Sequence, residues 1–116
     1  MSVGLYIHVP FCIRKCPYCD FYSVTLSDEL VSVYAQAVIR NIRAYREQNS
    51  SLSFDTVYFG GGTPSLMPLS FFDGVLSELS GGLTDSPEIT AELNPGTSDF
   101  DKLQSLRFVG INRLSV

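Results

Sequence analysis

The sequence has few of the features that mark secreted, membrane-spanning or nucleic-acid-binding chains. Its N-terminus has no basic region followed by an apolar core, as a signal peptide would have. No apolar run approaches the roughly 20 residues needed to span a bilayer. Lys and Arg number 8 against 12 Asp and Glu, so the net charge is −4 and gives no electrostatic case for nucleic acid. We therefore expect a cytoplasmic protein with no membrane span and no nucleic-acid partner.

Cysteine and histidine are also scarce, and the few present lie together. The chain has 3 cysteines and 1 histidine, His8. The three thiols, Cys12, Cys16 and Cys19, have the spacing C-x3-C-x2-C. An odd number of clustered cysteines in a cytosolic protein favours metal ligands over a disulfide framework. Three thiolates on a four-iron cluster leave one iron open for a small molecule, whereas four would normally close it for electron transfer.

A zinc site is the simplest alternative for the same residues. Cys12, Cys16, Cys19 and His8 could together supply a closed Cys3His set. Two observations count against it: His8 falls on a strand, facing away from that strand's apolar residues, and structural zinc sites usually use two paired knuckles. The spacing favours the iron–sulfur cluster but leaves the zinc site open.

Apolar periodicity predicts four strands alternating with three helices. The predicted strands are residues 4–9, 54–59, 88–93 and 111–116. The first helix follows Ser27 as N-cap, with a stripe of Leu30, Tyr34, Val38, Ile42 and Tyr45, and breaks at residues 49–51. The second begins at a capping box of Ser70 and Asp73 and stops at Gly81-Gly82, and the third runs from Ser98 or Asp99 to Gly110. This alternation is typical of an α/β fold with a parallel sheet.

The chemically suggestive groups all follow strands. The cysteine loop, residues 60–62 and Glu92 each fall at a strand's C-terminal end, where α/β barrels form their active sites. Four parallel strands cannot close a barrel, and the last would be an unprotected edge. We therefore expect residues 1–116 to be the truncated N-terminal portion of a longer protein.

Two of these groups have an ordinary structural interpretation as well as a functional one. The three glycines could form a tight strand-to-helix turn, or their missing Cβ atoms could let the backbone approach a ligand. Glu92 could be a solvated acid at a strand end, or it could point into the barrel.

Four motifs resemble one known family. The cysteine spacing after the first strand resembles the radical S-adenosylmethionine (SAM) superfamily. Four motifs resemble one family of that superfamily, the oxygen-independent coproporphyrinogen III oxidases. They are Tyr6-Ile-His8-Val-Pro10-Phe11-Cys12, Gly60-Gly61-Gly62-Thr63-Pro64, Glu92-Leu-Asn94-Pro95-Gly96-Thr97 and Gly110-Ile-Asn112-Arg113-Leu114-Ser115. The resemblance covers essentially the whole chain. It implies that residues 1–116 are the N-terminal part of a (βα)6 TIM-like radical SAM barrel, with the rest of the barrel and a C-terminal domain absent. It also implies a [4Fe-4S] cluster and SAM, whose sulfonium is cleaved by an electron from the cluster to yield a 5′-deoxyadenosyl radical.

The residue two places after the third cysteine separates the branches of that family. The decarboxylases carry a further cysteine there, whereas this chain has Phe21 in Cys19-Asp20-Phe21. It therefore resembles the HemW-type branch of heme chaperones. The alternative is a coproporphyrinogen III oxidase that removes two propionate carboxyls, and an alternative of another class is a zinc-stabilised or inactive fragment. The implied partners are SAM, heme or a porphyrinogen, an electron donor to the cluster and a heme-accepting protein.

The resemblance also implies roles for individual residues. Cys12, Cys16 and Cys19 would hold the cluster, and Tyr6, Tyr18, Gly61, Gly62 and Thr63 would contact SAM. Glu92 would bind the ribose hydroxyls of SAM. His8 is more often a packed, hydrogen-bonded residue of the barrel interior than a ligand, but by its family position it could contribute polar chemistry at the active site.

Overall fold

The structure, a computed structural model, describes residues 2–12, 24–25, 28–94 and 99–116, with the backbone alone for Cys12, Val24 and Thr25. Strands and helices alternate along these residues, as predicted. In chain order they are β1 (Ser2–Val9), β2 (Phe11–Cys12), β3 (Val24–Thr25), α1 (Asp28–Gln48), β4 (Ser53–Gly61), a 3-10 turn (Pro64–Leu66), α2 (Leu69–Leu79), β5 (Leu83–Glu92), α3 (Phe100–Val109) and β6 (Arg113–Ser115).

The main sheet has four parallel strands in the order β1-β4-β5-β6. This confirms the predicted α/β class with its four parallel strands and three helices. A second pair, β2 with β3, is also parallel and aligns Phe11 with Val24 and Cys12 with Thr25. Strands of two residues have no periodicity, so this pair could not be predicted from the sequence.

The two faces of the sheet differ in character because side chains alternate along each strand. On one face, register aligns Ile7 with Phe59 and Phe59 with Ala91, and all three are buried against the helices. On the other face, register aligns Tyr6 with Tyr58. The predicted division of β1, with Tyr6 and His8 opposite its apolar residues, is therefore confirmed.

The buried residues of helix α1 differ slightly from the predicted apolar stripe. Val31 and Ile42 are its buried residues, whereas Leu30 and Tyr45 are 49% and 48% exposed. The helix begins at Asp28, and its first inward position is Val31 rather than Leu30. No helix in the described ranges is long and apolar enough to cross a membrane.

The predicted capping box of α2 is wrong. The N-cap is Pro68, no side chain caps the helix, and the Phe71 amide donates to the Pro68 carbonyl at 2.9 Å. The 3-10 turn at Pro64–Leu66 brings the chain into α2 before Ser70 is reached, so Ser70 lies inside the helix. The predicted end is correct, because α2 stops at Leu79 and Gly81 follows with φ +88°.

Strand β5 begins earlier than predicted and contains an irregularity. Its pairing with β4 jumps from Phe54–Leu83 to Thr56–Glu88, so β5 has extra residues between Leu83 and Glu88. Asn112 holds the strand at Pro87 and Ile89 through hydrogen bonds. Its amide donates to the Ile89 carbonyl, its Oδ1 accepts from the Ile89 amide at 2.8 Å, and its Nδ2 donates to the Pro87 carbonyl at 2.8 Å.

Helix α3 begins and ends as predicted. Asp99 is the N-cap, and its carboxylate accepts from the Lys102 amide at 2.9 Å. Gly110 is the C-cap, with φ +124°, and its amide donates back to the last turn.

The two proposed caps give a direct test of these helix boundaries. Asp99→Ala removes an N-cap acceptor and should lower the free energy of unfolding by about 1 kcal/mol. Ser70→Ala is the control: because Ser70 caps nothing and is exposed, its effect should stay within about 0.5 kcal/mol. Urea unfolding followed by circular dichroism measures both. A larger loss for Ser70→Ala than for Asp99→Ala would contradict the assigned start of α2.

Candidate functional site

The candidate site lies where β1, β4 and β5 end. Register aligns His8 with Gly60 and Val9 with Gly61, and Glu92 is the last residue of β5. The predicted site residues in the described part of the chain thus meet at the C-terminal edge of one sheet. Cys16, Cys19 and Tyr18, together with Phe21, lie outside the described residues, as does the side chain of Cys12.

Glu92 joins β5 to β4 through both carboxylate oxygens. Its Oε1 accepts from the Gly61 amide at 2.9 Å, and its Oε2 accepts from the Tyr58 hydroxyl at 2.9 Å. Glu92 is half-buried, so it is not simply a solvated acid at a strand end. Each carboxylate oxygen has two lone pairs, and one on each remains after these bonds.

Tyr58 is a site residue that the sequence analysis missed. Its ring stacks on Tyr6 with centroids 5.9 Å apart and planes 20° apart. Counting back two residues from Gly60 along β4 would have placed Tyr58 on the open face, but nothing in the sequence pairs its hydroxyl with Glu92. The tyrosine pair therefore forms one wall of the candidate site.

Tyr6 and His8 lie next to each other on β1. The Tyr6 hydroxyl is 3.2 Å from His8 Nδ1, and 56% of Tyr6 is exposed. Partial burial raises the pKa of Tyr6, and the nearby Glu92 carboxylate and Tyr58 raise it further. Tyr6 is therefore neutral at physiological pH and offers an exposed aromatic face.

The glycine loop, residues 60–63, packs tightly against neighbouring groups. A Cβ on Gly60 would lie 2.9 Å from the Tyr58 ring and 3.0 Å from the Tyr6 ring. Gly61 has φ +114°, and a Cβ there would lie 2.7 Å from the Val9 carbonyl oxygen and 2.8 Å from the His8 ring. Close approach, rather than a turn alone, is what requires glycine at these two positions.

The backbone amides of residues 61–63 donate their hydrogen bonds to other groups of the protein. The Gly61 amide binds Glu92, the Gly62 amide donates to the Val9 carbonyl at 2.7 Å, and the Thr63 amide donates to the Phe11 carbonyl at 2.8 Å. The sequence left both carbonyls and amides of the loop available to a ligand. With these amides committed, residues 61–63 have no backbone N–H left for a ligand, and the Thr63 carbonyl oxygen already accepts from the Leu66 amide at 3.0 Å.

Tyr34 of α1 reaches the same edge from the helical layer. Its hydroxyl donates to the His8 carbonyl, and its ring packs edge-to-face on Phe11 with centroids 5.4 Å apart. Burial raises the pKa of Tyr34 to about 12, and nearby Tyr6 contributes in the same direction. The sequence placed Tyr34 only in the apolar stripe of α1.

No group of three or more His, Cys, Asp or Glu side chains in the described ranges could hold a metal ion. Those ranges include none of the three cysteine sulfurs, so the choice between a cluster and a zinc site remains a prediction from their spacing. The backbone of Cys12 follows Phe11 directly, at the edge of the sheet to which Glu92 and the glycine loop belong.

The fold and this edge define a class of protein. A parallel α/β sheet with a cysteine segment after its first strand, a glycine loop after the next and an acid at the end of the third is the arrangement of a radical SAM barrel. The Radical SAM superfamily matches residues 6–116. The chain belongs to that superfamily.

Several curated relatives match nearly the whole chain. The heme chaperone HemW of Synechocystis sp. is 41% identical over 125 residues, covering 100% of this chain and 30% of that protein. The heme chaperone HemW of Escherichia coli is 37% identical over 119 residues, covering 98% of this chain and 31% of that protein. The oxygen-independent coproporphyrinogen III oxidase of Bradyrhizobium diazoefficiens is 30% identical over 119 residues, covering 99% and 26%. The chain spans about a third of the length of these relatives.

One solved structure has the same fold. It is described as "Coproporphyrinogen III oxidase (HemN) from Escherichia coli is a Radical SAM enzyme", and it matches with a TM-score of 0.79 and 24% identity over 96% of this chain and 26% of that one. The chain therefore has part of the TIM-barrel-like radical SAM fold.

The residues at this edge suit an adenosyl ligand. Glu92 retains lone pairs for hydroxyl donors, Tyr6 offers an exposed ring, and residues 60–62 have no Cβ atoms to obstruct a close approach. The amides of residues 61–63 donate within the protein, so none of them is left for a ligand carboxylate.

Titration of the tyrosines tests the environment of Tyr34. Its folded-state pKa of about 12 lies above the ordinary value of 10.0, so the neutral hydroxyl stabilises the fold below pH 10. That contribution is lost as the pH rises from 10 to 12. Absorbance at 295 nm should show one tyrosine that ionises near pH 12, and Tyr34→Phe should remove that component. Loss of a component near pH 10 instead would contradict the half-buried, hydrogen-bonded hydroxyl.

Proposed function

We propose that this chain holds a [4Fe-4S] cluster through Cys12, Cys16 and Cys19 and binds SAM beside it, as the N-terminal part of a HemW-type heme chaperone. One observation carries the proposal: Glu92, the glycine loop and the backbone leading to Cys12 are joined by direct hydrogen bonds at one edge of the sheet. An adenosyl ligand at this edge would lie beside the first cluster cysteine.

Each residue has a distinct task in this proposal. Glu92 accepts hydrogen bonds from the ribose hydroxyls with the lone pairs that Gly61 and Tyr58 leave available. Carbonyl oxygens of residues 61–63 accept from the ammonium, and Tyr6 and Tyr18 pack against the ligand. When bound, the reduced cluster supplies the electron for cleavage of a sulfonium C–S bond.

Sequence features favour the chaperone over the decarboxylase. Phe21 occupies the position at which the decarboxylases of the resembling family carry a further cysteine. The relatives named heme chaperone HemW are between 32% and 41% identical, against 30% for the relative named as an oxidase. We accordingly propose heme as the cargo, a separate electron donor, a heme-accepting partner and a cytoplasmic location.

The cluster and SAM are tested together by electron paramagnetic resonance (EPR). The chain is reconstituted anaerobically with iron and sulfide, reduced, and titrated with SAM. The expected result is a cluster signal that changes on addition of SAM. Stoichiometric zinc without sulfide would contradict the cluster and favour a structural zinc site, and a cluster signal indifferent to SAM would contradict the SAM site.

The role of Glu92 is tested by Glu92→Gln, with Glu88→Gln as its matched control. The substitution replaces an acceptor with a group that is partly a donor, so the SAM concentration at half-effect should rise about 10- to 100-fold. Glu88 lies on the same strand and face, is 55% exposed and pairs with Arg113 at 3.5 Å, away from the glycine loop. Its substitution should leave the SAM titration unchanged. Equal effects of the two substitutions would contradict a specific role for Glu92.

The oxidase alternative is tested with its own substrate. Coproporphyrinogen III is incubated with reconstituted protein, SAM and a reductant, and the products are separated by chromatography. We expect no loss of propionate carboxyls, because the chain has Phe21 in place of the decarboxylases' additional cysteine. Formation of protoporphyrinogen IX would favour the oxidase and contradict the chaperone proposal.

A further inference from the structure

The backbone just before the cysteine segment is bound from two separate elements. The His8 carbonyl accepts from the Tyr34 hydroxyl, which belongs to α1. The Val9 and Phe11 carbonyls accept from the amides of Gly62 and Thr63, which follow β4. Pro10, between them, has no N–H to contribute.

We propose that Tyr34 is a positioning residue for the cluster, which acts with the amides of Gly62 and Thr63 to fix the backbone that leads into Cys12. The inference deepens the proposed function and rests on it for the identity of the cluster. In this inference, α1 and the glycine loop position the backbone of the cysteine segment, a role separate from contact with SAM.

The ring of Tyr34 is held in place by packing against neighbouring aromatic side chains. Its ring lies edge-to-face on Phe11, at 5.4 Å and 86°, and is tilted on Phe71 with centroids 5.9 Å apart. Phe11 and Phe71 are each 2% exposed, so the ring is fixed against the core. A held ring places its hydroxyl at the His8 carbonyl without ordering a mobile side chain at the moment of metal binding.

The glycine loop bonds both to Glu92, the proposed ribose ligand, and to the backbone that leads into Cys12. The Gly61 amide binds Glu92, while the next two amides bind Val9 and Phe11. Gly61 itself lies against the Val9 carbonyl, with no space for a Cβ. Displacement of this loop would therefore change the position of Cys12 relative to Glu92.

The first test compares Tyr34→Phe with Tyr45→Phe. Tyr34→Phe keeps the packed ring and removes only the hydroxyl bound to His8. Tyr45 lies on the same helix, is 48% exposed and rests its ring on Phe54, so its substitution is the control for loss of a helical tyrosine hydroxyl. Both chains are studied first without metal, by amide hydrogen exchange in NMR.

In metal-free Tyr34→Phe, exchange of the Gly62 and Thr63 amides should rise about two- to tenfold, the range expected for one neutral hydrogen bond. Amides in the centre of β4 should be unchanged, as should all of these amides in Tyr45→Phe. A uniform rise along β4 would mean general destabilisation and would overturn the positioning role, and so would no change at Gly62 and Thr63.

The second test measures the cluster with a pair of glycine variants. Gly61 and Gly81 both have positive φ, +114° and +88°, but a Cβ on Gly81 would have its nearest neighbour, Arg46, at 3.7 Å. Gly61→Ala should lower the iron and acid-labile sulfide bound per chain after reconstitution and should change the EPR signal. Gly81→Ala also places a side chain at positive φ and should bind a full cluster. Equal cluster contents in the two variants would overturn the inference.

The two proposals fail in different ways. If the unsubstituted chain takes up no cluster, the proposed function is wrong, and the exchange of Gly62 and Thr63 still decides whether Tyr34 positions this backbone. If the unsubstituted chain binds cluster and SAM but Tyr34→Phe leaves the exchange of the Gly62 and Thr63 amides unchanged, the positioning role is wrong and the proposed function stands.

Discussion

The parallel register of β1, β4 and β5 is the constraint from which the rest of the site follows. Strand β4 lies between the other two, and its Val57 and Phe59 are buried among the helices. Because the period of a strand is two, burial of these residues fixes Tyr58 and Gly60 on the opposite face. A shift of one residue would exchange the two sets and would separate the glycine loop from Glu92. Packing on the helical side therefore determines the chemistry on the open side.

Much of this arrangement could be predicted from local patterns. Alternation along β1 placed Tyr6 and His8 correctly, and glycines marked the ends of α2 and α3. These features depend on residues that are close in sequence, where propensity and periodicity carry information. The capping box at Ser70 failed because Pro68 and the 3-10 turn before it had already started the helix.

The contacts within the site were beyond such patterns. Tyr58 and Glu92 are 34 residues apart, and Tyr34 and His8 are 26 apart. Such partners become neighbours only through the crossover connections of a parallel sheet, and these contacts produce no periodic pattern in the sequence. The glycine loop illustrates the same limit: the sequence offered a tight turn or a close approach to a ligand, whereas the neighbours that Gly61 approaches are the protein's own Val9 carbonyl and His8 ring.

The irregular start of β5 has a consequence for how the sequence can vary. The extra residues of this strand precede Glu88, and Asn112 binds both the amide and the carbonyl of Ile89 just beyond them. Register is therefore set again at Ile89, whatever the length of the segment before it. Insertions or deletions within residues 84–86, before the Pro87 carbonyl that Asn112 also binds, would be absorbed upstream of this point, so the location of the acid at the end of β5 is insulated from such changes in chain length.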